Sequence, residues 1–279
     1  MIEGIKIFDA HMHYMGRFKA REKTIIEYMH HYGIDKAILT TLNKTTSMKK
    51  LKAVMGSNSS LEKKASPNFS EHFDFISQLD HEPIRRIIKK HPEKLVGFYW
   101  FNPKSPHEDD WRTLKRYIEE YNFKGIKIQP AVNMLKLPHD VYTLAEFCIA
   151  HTIPLYIHTG GSFFFQEPVR TKHLYQLAKK YPNLKLIIGH AAHSMEYCIN
   201  LLTYFSENRN VYFETSCSIP YGILTLIKGF GSERVIYGSD SPPATTPDIE
   251  IKKIQILNLD KKELENIFYN NIEKLINEK

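Results

Sequence analysis

The stretch Asp9-Ala10-His11-Met12-His13 carries the plainest chemistry in this 279-residue chain. It follows an apolar run, residues 5–9, that reads as a β-strand. Side chains alternate along a strand, so His11 and His13 leave its C-terminal end in the same direction. Two imidazoles on one face can share a cation, and imidazole suits zinc, iron, nickel or copper. A pair does not hold an ion alone, so other elements must bring further ligands to the same point.

Those elements are legible as an alternation. Strands are predicted at 5–9, 36–40, 95–102, 123–129, 153–158, 184–190, 211–215 and 234–238. Helices are predicted at 22–32, 81–91, 109–121, 140–151, 168–181, 194–208 and 221–230, with two more at 248–257 and 261–277. Eight strands, each followed by a helix, predict an α/β chain folded as a (β/α)₈ TIM barrel, one domain over 1–279 with extra C-terminal helices. The strand runs are apolar on both faces, as a parallel sheet covered by helices requires.

Residues 43–80 interrupt the pattern with a Ser-, Lys- and Asn-rich insertion after the second strand, a candidate lid that could contain a short helix over 48–55. Between 43 and 72 six lysines face two glutamates, which supplies over half of the formal net charge of +7. A solvated surface segment is the plainer reading, and a basic cover for an anionic substrate the sharper one. A single aromatic there, Phe69, argues against stacking on nucleic-acid bases. The three cysteines, Cys148, Cys198 and Cys217, are far apart with no CxxC pair. Neither a disulfide framework nor a thiolate zinc site is expected. No apolar run is long enough to cross a membrane and no secretory signal is visible, so a cytoplasmic protein without membrane contact is expected.

In such a barrel the C-terminal strand ends surround the active site. Here they carry chemistry. Strand four has Lys127 and Gln129 on one face, strand five ends in His158, strand six in Gly189-His190 and strand eight in Gly238-Ser239-Asp240. A third neutral imidazole, His158, completes a site that two cannot hold. Lys127 in the interior needs an anionic partner or a chemical role. Pairing with Asp9, Asp240 or a substrate carboxylate is favoured over carbamylation to bridge two metals. Tyr156 lies two residues before His158 and shares its face, Trp100 and Asn102 end strand three on one face, and Phe163-Phe164-Phe165 could wall a pocket or meet another subunit; a homodimer stays open.

These residues together resemble the amidohydrolase superfamily, in particular the amidohydrolase 2 family that includes aminocarboxymuconate-semialdehyde decarboxylase. The matching pieces are the DAHMH stretch, Gly125 to Pro130, His158-Thr159-Gly160, Gly189-His190-Ala191 and Gly238 to Pro242, in family order over nearly the whole chain. The resemblance implies one divalent metal, commonly zinc with manganese, iron or cobalt as alternatives, held by His11, His13, His158 and Asp240. It implies that His190 contacts the metal's water or the substrate. The chain departs at Gln129, where many members have His before the proline, and that position tends to face substrate.

The expected activity is hydrolysis of a C–N or C–O acyl bond of a small, acidic substrate by a metal-bound water whose pKa falls to about 7. Asp240 would act as catalytic base and His190 as orienting group. Lys127, Gln129, Tyr156 and Trp100 are the expected substrate contacts. Non-oxidative decarboxylation on the same residues is the alternative. A TatD-type nuclease is disfavoured, because strands three and four contain no glutamate to bridge metals. A metal-binding scaffold without activity is disfavoured by the candidate base.

Overall fold

The computed structural model describes residues 4–16, 24–42, 78–104, 106–160 and 169–278. The proposed helix at 48–55, most of the insertion with its lysines and Phe69, and the Phe163–Phe165 triplet lie outside the described residues. Eight parallel strands are hydrogen-bonded in sequence order. They are β1 (Phe8–His13), β2 (Lys36–Thr40), β3 (Leu95–Trp100), β4 (Phe123–Ile128), β5 (Leu155–His158), β6 (Leu186–Gly189), β7 (Val211–Glu214) and β8 (Val235–Ile236). Backbone bonds close the ring from β8 to β1: Ala10 N–H donates to Tyr237 O (3.1 Å), His13 N–H to Ser241 O (2.8 Å) and Asp240 N–H to His11 O (2.8 Å). The (β/α)₈ barrel is therefore present.

The helices are α1 (Ile25–Tyr32), α2 (Glu82–Lys90), α3 (Glu108–Glu120), α4 (Tyr142–Ala150), α5 (Thr171–Lys180), α6 (Met195–Phe205), α7 (Pro220–Phe230), α8 (Pro247–Gln255), α9 (Lys261–Glu265) and α10 (Asn271–Asn277). The predicted final helix is a correction: a π-helical turn, Asn266–Asn270, divides it into α9 and α10. Local chemistry sets several starts. Thr24 and Glu27 form a capping box on α1, and Asp260 with Glu263 does the same on α9.

The strands sort their side chains into two cores. Leu39, Tyr99, Ile126, Ile157, Ile188 and Phe213 pack outward against the helices. Phe8, Ala10, Ile38, Val96, Phe98, Tyr156, Ile187 and Ile236 fill the barrel's inside. Ile272 and Leu275 of α10 join that inner cluster. Lys36 at the start of β2 reaches Glu273 (2.8 Å), and Lys185 before β6 reaches Glu278 O (2.6 Å). The last helix thus covers the end of the barrel where the strands begin, and the opposite end carries the polar residues.

The segment between 43 and 77 leaves and rejoins the barrel at pinned points. Thr41 Oγ1 donates to Asp80 O at 3.2 Å, so entry and exit touch. Gln78 exchanges two bonds with the backbone of Asn102 (2.8 and 2.9 Å). His81 donates from Nδ1 to Leu79 O (2.8 Å) and accepts at Nε2 from Trp100 N–H (2.8 Å). Both nitrogens are used only in the neutral ring, and burial pushes the His81 pKa down to about 3. Between that value and the ordinary value of about 6.5 the unfolded chain binds a proton that the folded one does not. Stability therefore falls as pH drops through this window, by at most about 1.4 kcal/mol per pH unit for each such histidine. We expect His81→Gln to flatten that slope by about one proton's worth, read from denaturant midpoints between pH 7 and pH 4. An unchanged slope would remove His81 from this role.

Candidate metal centre and active site

The strand that carries His11 and His13 differs from expectation. It runs from Phe8 to His13, and its register against β2 shifts between Asp9 and Met12. The two histidines thus lie inside the strand, not beyond its end. The irregularity lets Ala10 face the inner core and His11 and His13 still point to the mouth, while Met12 packs outward. Asp9 Oδ1 holds the turn between strands, accepting from His11 N–H and Ser239 N–H (both 3.0 Å).

Hydrogen bonds on one side of each ring fix which nitrogen is free on the other. His13 Nδ1 lies 2.9 Å from the Thr41 carbonyl, which can only accept, so Nδ1 carries the proton. His11 Nδ1 meets Tyr156 Oη (3.0 Å) and Ser216 Oγ (3.2 Å). Both hydroxyls donate to Glu214 Oε2, at 2.7 and 2.9 Å, and so accept from His11. The Nε2 lone pairs of both histidines then face Asp240 Oδ1, at 3.3 Å for His11 and 3.0 Å for His13. Burial, then the charge of Lys127, lowers both pKa values, that of His11 to about 3. Burial alone would raise Asp240, but the His11, His13 and His190 imidazoles around it hold the carboxyl well below its ordinary value. Three unprotonated donor atoms of two imidazoles and a carboxylate converge, a set that fits a divalent cation.

Glu214, at the end of β7, escapes the sequence reading. It is fully buried, and its Oε1 accepts from Ser216 N–H (2.7 Å) while Oε2 also accepts from His190 N–H (3.1 Å). Burial pushes its carboxyl up, but the neighbouring His11 and His190 imidazoles and the Tyr156 hydroxyl bring it to about 2. Two glycines leave it room. A Cβ on Gly238 would overlap Glu214 Oε1, and one on Gly189 would overlap the Tyr156 hydroxyl. The available signal was positional: Glu214 closes a strand in the way that His158 closes another.

The remaining expected residues fall in different places. Lys127 is buried, with Nζ in contact with His11 Nε2 and 3.4 Å from His13 Nε2, over the faces of Trp100 (5.4 Å) and Tyr156 (5.1 Å). Burial lowers its pKa to about 8. Trp100 faces His13 at 6.3 Å between ring centres and donates its indole N–H to Asn133 Oδ1. Tyr156 is 1% exposed and lies beneath His11, where its hydroxyl is already engaged. Gln129 follows β4, and its Oε1 accepts from Ala131 N–H (3.2 Å). His158 stands apart from the His11–His13–Asp240 group. Its Nδ1 lies 2.9 Å from His190 Nε2, and its Nε2 is buried without a hydrogen-bond partner. His190 Nδ1 donates to Ser216 O (3.0 Å), and its Nε2 lies 4.0 Å from Asp240 Oδ2.

A closed parallel barrel with buried histidines and carboxylates at the C-terminal ends of its strands has the form of a barrel enzyme with a cation centre. The amidohydrolase family model matches residues 68–277, and the chain belongs to that family. No curated protein matches the sequence. Among solved structures, the chain is similar to 5-carboxyvanillate decarboxylase from Novosphingobium aromaticivorans, with bound manganese, at 16% identity and TM-score 0.69, covering 98% of this chain and 97% of that one. It is similar to 2,6-dihydroxybenzoate decarboxylase from Rhizobium (14% identity, TM-score 0.65, 98% of each chain). It also resembles 4-oxalomesaconate hydratase from Rhodopseudomonas palustris (18% identity, TM-score 0.62, 97% and 95%).

If Glu214 sets the His11 tautomer through Tyr156 and Ser216, Glu214→Gln should lower divalent-cation affinity about 10- to 100-fold with an unchanged circular dichroism spectrum. Isothermal titration checks this, and wild-type affinity in the variant would show that the carboxylate does not act on the cation centre.

Proposed function

We propose that the chain is a metal-dependent enzyme acting on a small carboxylate-bearing substrate, which it decarboxylates without oxidation. The observation that carries this reading is the buried Lys127 ammonium beside three unprotonated donors, His11 Nε2, His13 Nε2 and Asp240 Oδ1. A divalent cation held by those donors, with His158 adjoining, would supply Lewis acidity toward a carboxylate or carbonyl oxygen and acidify water. Zinc and manganese both suit imidazole with carboxylate. With that cation, the buried Lys127 would favour an anionic substrate. The names of two structural neighbours, both decarboxylases, support the reaction class.

The chain's own groups divide the work. Lys127 donates hydrogen bonds to a substrate carboxylate, with the Trp100 face beside it as an apolar wall. Tyr156, Ser216 and Glu214 hold His11 in its tautomer without touching substrate. Asp240 starts ionised and takes a proton from a substrate hydroxyl or from water, with His190 at 4.0 Å as its neighbour. The bond to the carboxyl group then breaks, its electron pair stays on the substrate carbon, and the Asp240 proton fills that carbon as carbon dioxide leaves. Hydrolysis of a C–N or C–O acyl bond is the second reading. The Asp240–His190 pair favours it, because the same proton relay would serve an attacking water.

We expect chelation to abolish turnover and Asp240→Asn to reduce kcat about 10²- to 10⁴-fold with the fold retained. Lys127→Met should raise KM for carboxylated substrates more than it lowers kcat. Isotopically labelled carbon dioxide release from a panel of hydroxylated aromatic and unsaturated acids separates the readings. Acid release from esters or amides with no carbon dioxide would favour hydrolysis, and full activity after rigorous metal removal would overturn both.

A further inference from the structure

The two oxygens of Asp240 face different partners. Oδ1 looks to His11 and His13. Oδ2 looks the other way, 3.7 Å from Cys217 Sγ and 4.0 Å from His190 Nε2. The donor atoms of His190, Cys217 and Asp240 all lie within 4.8 Å of one another, and this trio shares only Asp240 with the His11–His13 group. We propose that His190 Nε2, Cys217 Sγ and Asp240 Oδ2 form a second, thiolate-bearing cation position, bridged to the first by Asp240 and selective for thiophilic divalent ions. It rests on the proposed first centre only through Asp240, and an ion there would occupy the Asp240 oxygen and the His190 nitrogen of the proposed proton relay.

Three independent features support it. The first is orientation. His190 Nδ1–H is committed to Ser216 O, which leaves the Nε2 lone pair as the free donor. His158 Nδ1–H meets that lone pair at 2.9 Å. A cation would take the place of that proton, and the other nitrogen of His158, Nε2, is buried without a hydrogen-bond partner.

The second is backbone conformation. His190, Cys217 and Asp240 have φ of 55°, 55° and 53°, left-handed values that side chains other than glycine adopt at a cost. All three members of one donor trio adopt it, each just after its strand, and this places their side chains around one point. The third is access. Cys217 is exposed, unlike the buried Cys148 and Cys198, so an ion reaches it from solvent.

The chemistry balances simply. The S–H bond breaks, a sulfur–metal bond forms and the proton leaves to solvent. Soft thiolate prefers zinc, cobalt or cadmium, whereas manganese prefers oxygen donors.

The test uses the full chain, stripped of metal and titrated with cobalt(II). Metal content after desalting and thiolate-to-cobalt charge-transfer absorption are read together. The wild type should bind about two cobalt ions per chain and show the band, but about one manganese. Cys217→Ser and Cys217→Ala should each bind about one cobalt without the band, and His13→Ala should keep the band while losing one ion. One cobalt per wild-type chain without the band overturns the second position. One ion without the band leaves the first centre standing. Loss of the first ion in a wild type that keeps the band sinks the first centre instead, and no bound cobalt sinks both.

Discussion

Much of the barrel's mouth hangs on one buried carboxylate. Glu214 receives hydrogen bonds from Tyr156 and Ser216, and those two hydroxyls in turn receive the proton of His11. The same carboxylate anchors the backbone of His190 and of Ser216. A buried carboxylate is costly unless every lone pair is used, and this one is used by groups from β5, β6 and the turn after β7. The cost is offset because the network acts as a jig. It sets the direction in which His11 presents its lone pair and, through Ser216, the direction in which His190 does. The orientation of two imidazoles at the mouth depends on a residue buried beneath them.

The apolar layer below makes such a network affordable in structural terms. Phe98, Tyr156, Ile187 and Ile236 fill the interior, and α10 covers the floor with Ile272 and Leu275. Water is thereby kept from the underside of the polar layer, so charges there interact in a medium of low polarity. The glycines at 189 and 238 belong to the same design, since each gives up a side chain where Tyr156 or Glu214 needs space. Stability resides at the strand starts and chemistry at the strand ends.

The alternation of apolar runs made the barrel legible, and β2 begins and ends where its pattern does, at Lys36 and Thr40. The histidines and Asp240 were legible because polar residues at the ends of apolar strands have few other reasons to be there. Less was legible where local pattern and tertiary need diverge. The register shift in β1 needs a partner strand to define it, so period two alone placed His11 and His13 past the strand rather than within it. Glu214 sits in VYFETS, where the run reads as a strand leading into a polar turn. Its importance comes from Tyr156 and His190, residues far away in sequence. Alternation sets Tyr156 on the face of His158 but says nothing about depth, and its hydroxyl lies under His11. The π-helical turn at Asn266–Asn270 leaves helical periodicity almost intact and so gives no sequence signal.

The pinned ends of the segment after β2 bear on how such a chain can diversify. Thr41 touches Asp80, Gln78 grips Asn102, and His81 holds the backbone of Trp100. The two ends of the segment are fastened to the barrel. Each doubling of a flexible loop adds only about 0.6 kcal/mol of closure entropy. Descendants of this sequence could therefore lengthen, shorten or replace the intervening residues while Trp100 and the Thr41 carbonyl that orients His13 stay where they are. Selection could act on that segment and leave the residues at the strand ends unchanged.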